Sequence, residues 1–133
     1  MAIFGLGAKK DTRPVDVGLA SLLGKSDAEA VEFWKGRLIQ ISQIPSDVAR
    51  VGALTPQLRE LSRVEDAGER RRLTHARILA FAQLTPDQQR LLAESRRKAF
   101  SVDAGVMDSD QKFVDEILPT VDESVRRVYP RRP

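Results

Sequence analysis

Residues 73–99, LTHARILAFAQLTPDQQRLLAESRRKA, decide how this chain is read. The first half of that stretch ends in Ile78, Leu79, Ala80, Phe81 and Ala82, which are apolar on every side of a helix. A helix end of that kind is covered on all faces, so it belongs at the heart of a fold. Leu84 and then Thr85-Pro86-Asp87-Gln88 follow. Thr85 suits the N-cap, Pro86 the first helical position and Gln88 the third, a capping box in which side chains and backbone amides satisfy one another. The helix that opens there runs to about Ala99, with Leu91, Leu92, Ser95 and Ala99 facing inward. Arg90, Glu94 and Lys98 form an outer ladder at i,i+4 spacing.

Outward from this centre the apolar spacing stays helical, and no alternating strand pattern appears. Toward the N-terminus, Pro14 opens a short helix carrying Val15, Leu19, Leu22 and Leu23, and Gly24 closes it. Ser26 and Glu29 form a capping box for a helix to about Gln43, with Val31, Trp34, Leu38 and Ile41 on its inner stripe. Pro45 ends it by disfavouring helix at Ile44. Ser46 caps a short turn with Val48 and Val51, Gly52 and Pro56 interrupt it, and Thr55-Pro56 restarts a short helix through Leu58 and Leu61. A longer helix begins near Ser62–Asp66, with Glu65, Asp66 and Glu69 where the helix dipole favours negative charge.

Beyond Ala99, Ser101–Asp108 reads as a loop and Ser109–Leu118 as a helix through Phe113, Val114 and Ile117. Pro119 breaks or kinks it, and Thr120 with Glu123 caps a last segment lined by Val121, Val125, Val128 and Tyr129. Asp122–Arg126 and Glu123–Arg127 pair on its other side. Together these elements predict an all-α fold, a compact bundle of about six or seven helices with short loops. A single helical domain over 14–129 carries an apolar and basic N-terminal tail, 1–13, and a C-terminal tail, 130–133. Leu-Thr-Pro occurs at 54–56 and again at 84–86, but the flanks do not align, so the pair reads as reuse of one helix start rather than a duplication.

Leu84–Leu92 resembles, over five residues, the Leu-Thr-x-x-Gln signature of the periplasmic helical chaperones, and also the first helix of helix-turn-helix domains. Residues 93–100 continue the helix where the second family turns at glycine, and the first family is exported. Helix-capping chemistry accounts for both likenesses.

Composition excludes more than it identifies. The chain has 133 residues and no cysteine, which removes disulfides, thiolate nucleophiles, zinc fingers and iron–sulfur clusters. With one histidine, His75, there is no multi-histidine metal site within one chain. No nucleophile elbow, phosphate loop, dinucleotide fingerprint or His-Glu-x-x-His is present. His75 reads as structural, and Asp103, Asp108, Asp110 and Asp115 lack calcium-loop spacing and read as solvated loop and N-cap residues. The expectation is therefore a protein that is not an enzyme and uses no cofactor or metal.

Charge points less clearly. The 22 basic and 19 acidic residues give a net charge of +3, with 8 basic and 5 acidic groups in residues 65–100 and 5 against 7 in residues 101–133. Two arginine-rich clusters, Arg70-Arg71-Arg72 and Arg96-Arg97-Lys98, are candidate phosphate or anion contacts. Adjacent arginines on a helix fan apart at about 100° per residue, so neither cluster makes a one-face stripe. Ile3, Phe4 and Leu6, Trp34, and Tyr129 are candidate interaction residues. No stretch reaches the roughly 20 apolar residues of a membrane-spanning helix, and the N-terminal order of apolar before basic residues is the reverse of a signal peptide. The chain reads as soluble and cytoplasmic. The leading functional expectation is an accessory subunit or adaptor that binds a protein partner or a second copy. The alternatives are a nucleic-acid binder using the two arginine clusters, and a bundle holding a small ligand or lipid. Membrane-surface contact through Ile3, Phe4 and Leu6 is a further expectation for the tail.

Overall fold

A computed structural model describes residues 18–133. Six α-helices follow in order: α1 (Asp27–Ser42), α2 (Asp47–Ser62), α3 (Ala67–Ala82), α4 (Pro86–Val102), α5 (Ala104–Ile117) and α6 (Glu123–Val128). A 3-10 turn, Leu19–Leu22, precedes them, and another, Leu118–Thr120, links α5 to α6. The all-α bundle with short loops is as the sequence predicts. Of the expected helix from Pro14, residues 19–22 form a 3-10 turn, and residues 14–17 lie outside the described part.

The first three helices keep a common register. Their N-caps, Ser26, Ser46 and Asp66, stand twenty residues apart, and each side chain accepts from the backbone amide three residues on. Arg50 and Arg70, also twenty apart, reach back to the Ile44 and Val64 carbonyls at 2.6 Å each and tie down the preceding loop. Arg37, Gln57 and Arg77 fall at the same step of their helices and are all buried. The Leu-Thr-Pro pair does not share this register: the first copy lies inside α2 and the second starts α4.

Three boundaries differ from expectation. α2 is one helix through Pro56 rather than two short pieces. An interior proline costs about 3 kcal/mol in lost bonding and ring clash. Val51 and Leu54 before it and Leu58 and Leu61 after it are all buried, and each contributes about 1.5–3 kcal/mol, so burial of both halves outweighs the break. The expected loop at 101–108 shrinks to Asp103, which ends α4 and caps α5, its Oδ1 accepting from the Val106 amide. The last helix begins after Asp122, and Thr120 donates to the Ile117 carbonyl instead of capping.

Neighbours in sequence are not the main neighbours in space. α1 packs most extensively on α3, and α2 on α4 and α5, while α6 closes over α3. Trp34, Leu38, Ile41, Leu58, Leu61, Leu73, Ile78, Phe81 and Met107 form one continuous core. The apolar end of α3 does lie at its centre, with Ile78 and Ala80 fully buried.

Candidate functional site

The sequence-selected arginines fall into two environments. Arg70, Arg71 and Arg72 lie on the first turns of α3, and each has a partner. Arg70 donates to the Val64 carbonyl and stacks over the Phe113 ring at 5.0 Å. Arg71 pairs with Glu116 at 3.1 Å, and Arg72 grips Glu69 through two bonds of 2.9 Å while reaching Asp27 and the Leu22 carbonyl. On α4, Arg97 pairs with Glu94, and Lys98 reaches across to Asp47. The expected Arg90–Glu94–Lys98 ladder is thereby rearranged, Arg90 taking Asp87 instead.

Arg96 is no surface cation. It is buried, and with Arg77 it encloses Asp110, the centre of an ionic network. Arg77 donates from both terminal nitrogens to the two Asp110 oxygens at 2.9 and 3.0 Å, a fork-on-fork pair. Arg96 adds 2.7 Å to Asp110 and 2.9 Å to the Gln111 side-chain oxygen. Burial pushes the Asp110 carboxyl up, but the two guanidinium groups outweigh it and hold it below the ordinary carboxylate value. Burial likewise works to discharge Arg77, and Asp110 with the neighbouring Tyr129 reverses the effect and strengthens its charge. Two cations on one anion leave a surplus positive charge. The rings of Phe100 and Tyr129, each 5.7 Å from the Arg96 guanidinium, face it with their electron-rich sides.

Sequence reading does not reveal this network, because it takes Asp110 for one of a set of solvated loop and N-cap aspartates. The signal was present: Asp110 sits on the stripe of Met107, Val114 and Ile117, an acid on an apolar face. Arg77 likewise interrupts the apolar run from Leu73 to Phe81. A lone acid and a lone base on two inward stripes point to each other.

The aromatic candidates are core residues. Trp34 is fully buried and meets Phe33 edge-on at 5.9 Å. Tyr129 is buried against Phe81, ring to ring at 5.3 Å, and closes a small cavity of about 30 Å³ beside Arg77 and Arg96. Neither offers a surface anchor. Ile3, Phe4 and Leu6 lie outside the described residues. His75 is half-buried on α3 and lines a cleft together with Arg71, Arg72 and Glu116. The terminal residues turn back onto the bundle, where Arg132 approaches Asp108 at 3.4 Å and lies over Phe100.

Apolar groups do reach solvent elsewhere. Val48 on α2, Val102 at the end of α4, Leu23 and Val128 are exposed by 83, 69, 49 and 41%. Leu23 belongs to a groove of about 630 Å³ between the first 3-10 turn and the α2–α3 loop. Leu23 and Val64 supply its apolar lining, and Glu60, Glu65, Asp66 and Glu69 its acidic lining. Leu19 fixes one wall, its amide donating to Glu60 at 3.0 Å, and Gly24 turns the chain away with a φ of 83° that side chains rarely adopt.

Among the described residues, no cluster of three or more His, Asp or Glu side chains is placed to hold a metal, and no helix is long and apolar enough to cross a membrane. Comparison with protein families, curated proteins and solved structures finds no match for this chain.

Proposed function

We propose that the protein is a non-enzymatic helical interaction protein, an accessory subunit or adaptor that binds a protein partner. The observation that carries this reading is the contrast on its surface. The arginine clusters that favoured a nucleic-acid role are occupied by Glu69, Glu94, Glu116, Asp47 and Asp110 of the same chain. Apolar side chains at Val48 and Val102 meanwhile stand in solvent, where the apolar surface of a partner would take them out of water. A phosphate backbone is bound by cations that shed their counterions on contact, and cations already paired within the protein give that little return.

The test is light scattering on the full chain, with crosslinking in an extract of the source cell followed by reconstitution of any complex from purified components. A reconstituted complex that Val48→Lys or Val102→Lys weakens by tenfold or more supports the reading. A chain that stays monomeric and reconstitutes no complex overturns it. Salt-dependent binding to DNA or RNA, lost on charge reversal at Arg71 and Arg97, would assign the protein to the nucleic-acid class instead.

A further inference from the structure

We propose that the acidic groove beside the first 3-10 turn is the seat of the chain's own N-terminal segment, residues 3–13. The groove pairs a half-exposed leucine, Leu23, with the carboxylates of Glu60, Glu65, Asp66 and Glu69. Among the described residues Arg63 is the one basic side chain in its lining, and Arg72 holds Glu69, so that lining stays net negative. A fitting occupant carries apolar anchors followed by positive charge. Residues 3–13 have that order: Ile3, Phe4 and Leu6, then Lys9, Lys10 and Arg13, with Asp11 the only acid.

Connectivity favours this occupant over any other of the same chemistry. The described chain begins at Gly18, and the next residue, Leu19, is itself a wall of the groove, anchored to Glu60. Five residues separate Arg13 from Leu19, a reach of up to about 20 Å, enough to double back onto the groove. A segment tethered that closely acts at an effective concentration in the millimolar range, so modest apolar and ionic attraction suffices to seat it. Its seat covers Leu23, an apolar group the bundle itself leaves half in water. The inference does not depend on the adaptor reading, because it concerns how the chain treats its own terminus.

The absence of cysteine makes the experiment clean. A nitroxide attached to Ala8→Cys in the full chain is the probe, read by paramagnetic broadening of backbone amide signals. At low salt, broadening at Leu23, Val64 and Glu65 that is independent of protein concentration is the expected result. Glu65→Lys, an exposed position that caps nothing, should restore most of the lost intensity, as should salt high enough to shorten the screening length to a few ångströms. Absence of broadening at these amides overturns the proposal. So does broadening seen only when spin-labelled chain is mixed with separately isotope-labelled chain, which would place the segment on a second copy. A monomer with the intramolecular signal but no partner would refute the adaptor reading and leave this one standing.

Discussion

Asp110 holds the buried ionic network of the interior together. Replacing it with alanine leaves Arg77 and Arg96 buried without their anion, and breaking a buried pair in this way costs about 3–5 kcal/mol. The single tryptophan, Trp34, is fully buried and reports unfolding by its emission, so urea titration of Asp110→Ala against the parent measures the loss directly. The pH dependence has a definite sign. The native carboxyl is held below its unfolded value of about 3.9, so its contribution is fully present above that value. It is lost as pH falls through the lower native value. The stability gap between parent and Asp110→Asn should therefore be wide at neutral pH and shrink below about pH 4, where the parent carboxyl takes up its proton as well. A gap that stays constant down to that range would show that Asp110 does not act as an anion. In contrast, charge reversal at exposed Arg71, paired with Glu116, should change stability by no more than about 1 kcal/mol.

The elements show which sequence signals are strong. α1 was legible almost to the residue because Ser26 and Glu29 satisfy each other's amides, and the same holds for Thr85 and Gln88 at the start of α4. Thr85→Ala should lower stability by about 1 kcal/mol, measured by thermal or chemical unfolding. α2 was misread because local rules give Pro56 the power to end a helix, while the buried leucines on both sides that overrule it belong to tertiary structure. Pro56→Ala should accordingly raise stability, by up to about 3 kcal/mol, since it restores a backbone donor without touching those leucines. A fall would mean that the ring itself fills space the core needs. The α4–α5 junction was misread for the opposite reason. Gly105 and the run of aspartates resemble a loop, yet a single residue suffices there because Asp103 caps α5 while Arg59 on α2 holds its other oxygen at 2.6 Å. That Arg59 bond, with the Val106 amide, keeps the Asp103 carboxyl below its ordinary value.

At the scale of the whole molecule, burial decided what the sequence could not. Arg96 and Arg97 look alike in sequence, yet Arg96 enters the core while Arg97 faces solvent, a consequence of the 100° turn between neighbours and of where α5 lies. The twenty-residue register of the first three helices was equally hard to see, because beyond the caps, the buried polar positions and the apolar sets Leu38, Leu58, Ile78 and Ile41, Leu61, Phe81, the residues vary. The groove was beyond reach, since Leu23 and Glu65 meet only when the first turn folds against the α2–α3 loop.

The pairing of α1 with α3 and of α2 with α4 also bears on time. A bundle of hairpins can fold each pair as soon as its two helices are made. Here α1 must remain exposed until α3, some forty residues later, has been synthesised, an interval of about 2–8 s at ordinary elongation rates. Leu38, Ile41 and Trp34 spend that interval without their final cover. Refolding from urea should consequently be a single cooperative phase slower than that of hairpin-built helical bundles, with α1 amides gaining exchange protection together with those of α3 rather than ahead of them. Stopped-flow refolding followed through Trp34, combined with pulsed hydrogen exchange, reads both quantities, and early protection confined to α1 and α2 would contradict it. For this chain the newborn N-terminal half is the vulnerable period, and a chaperone's hold on it would be measured in seconds.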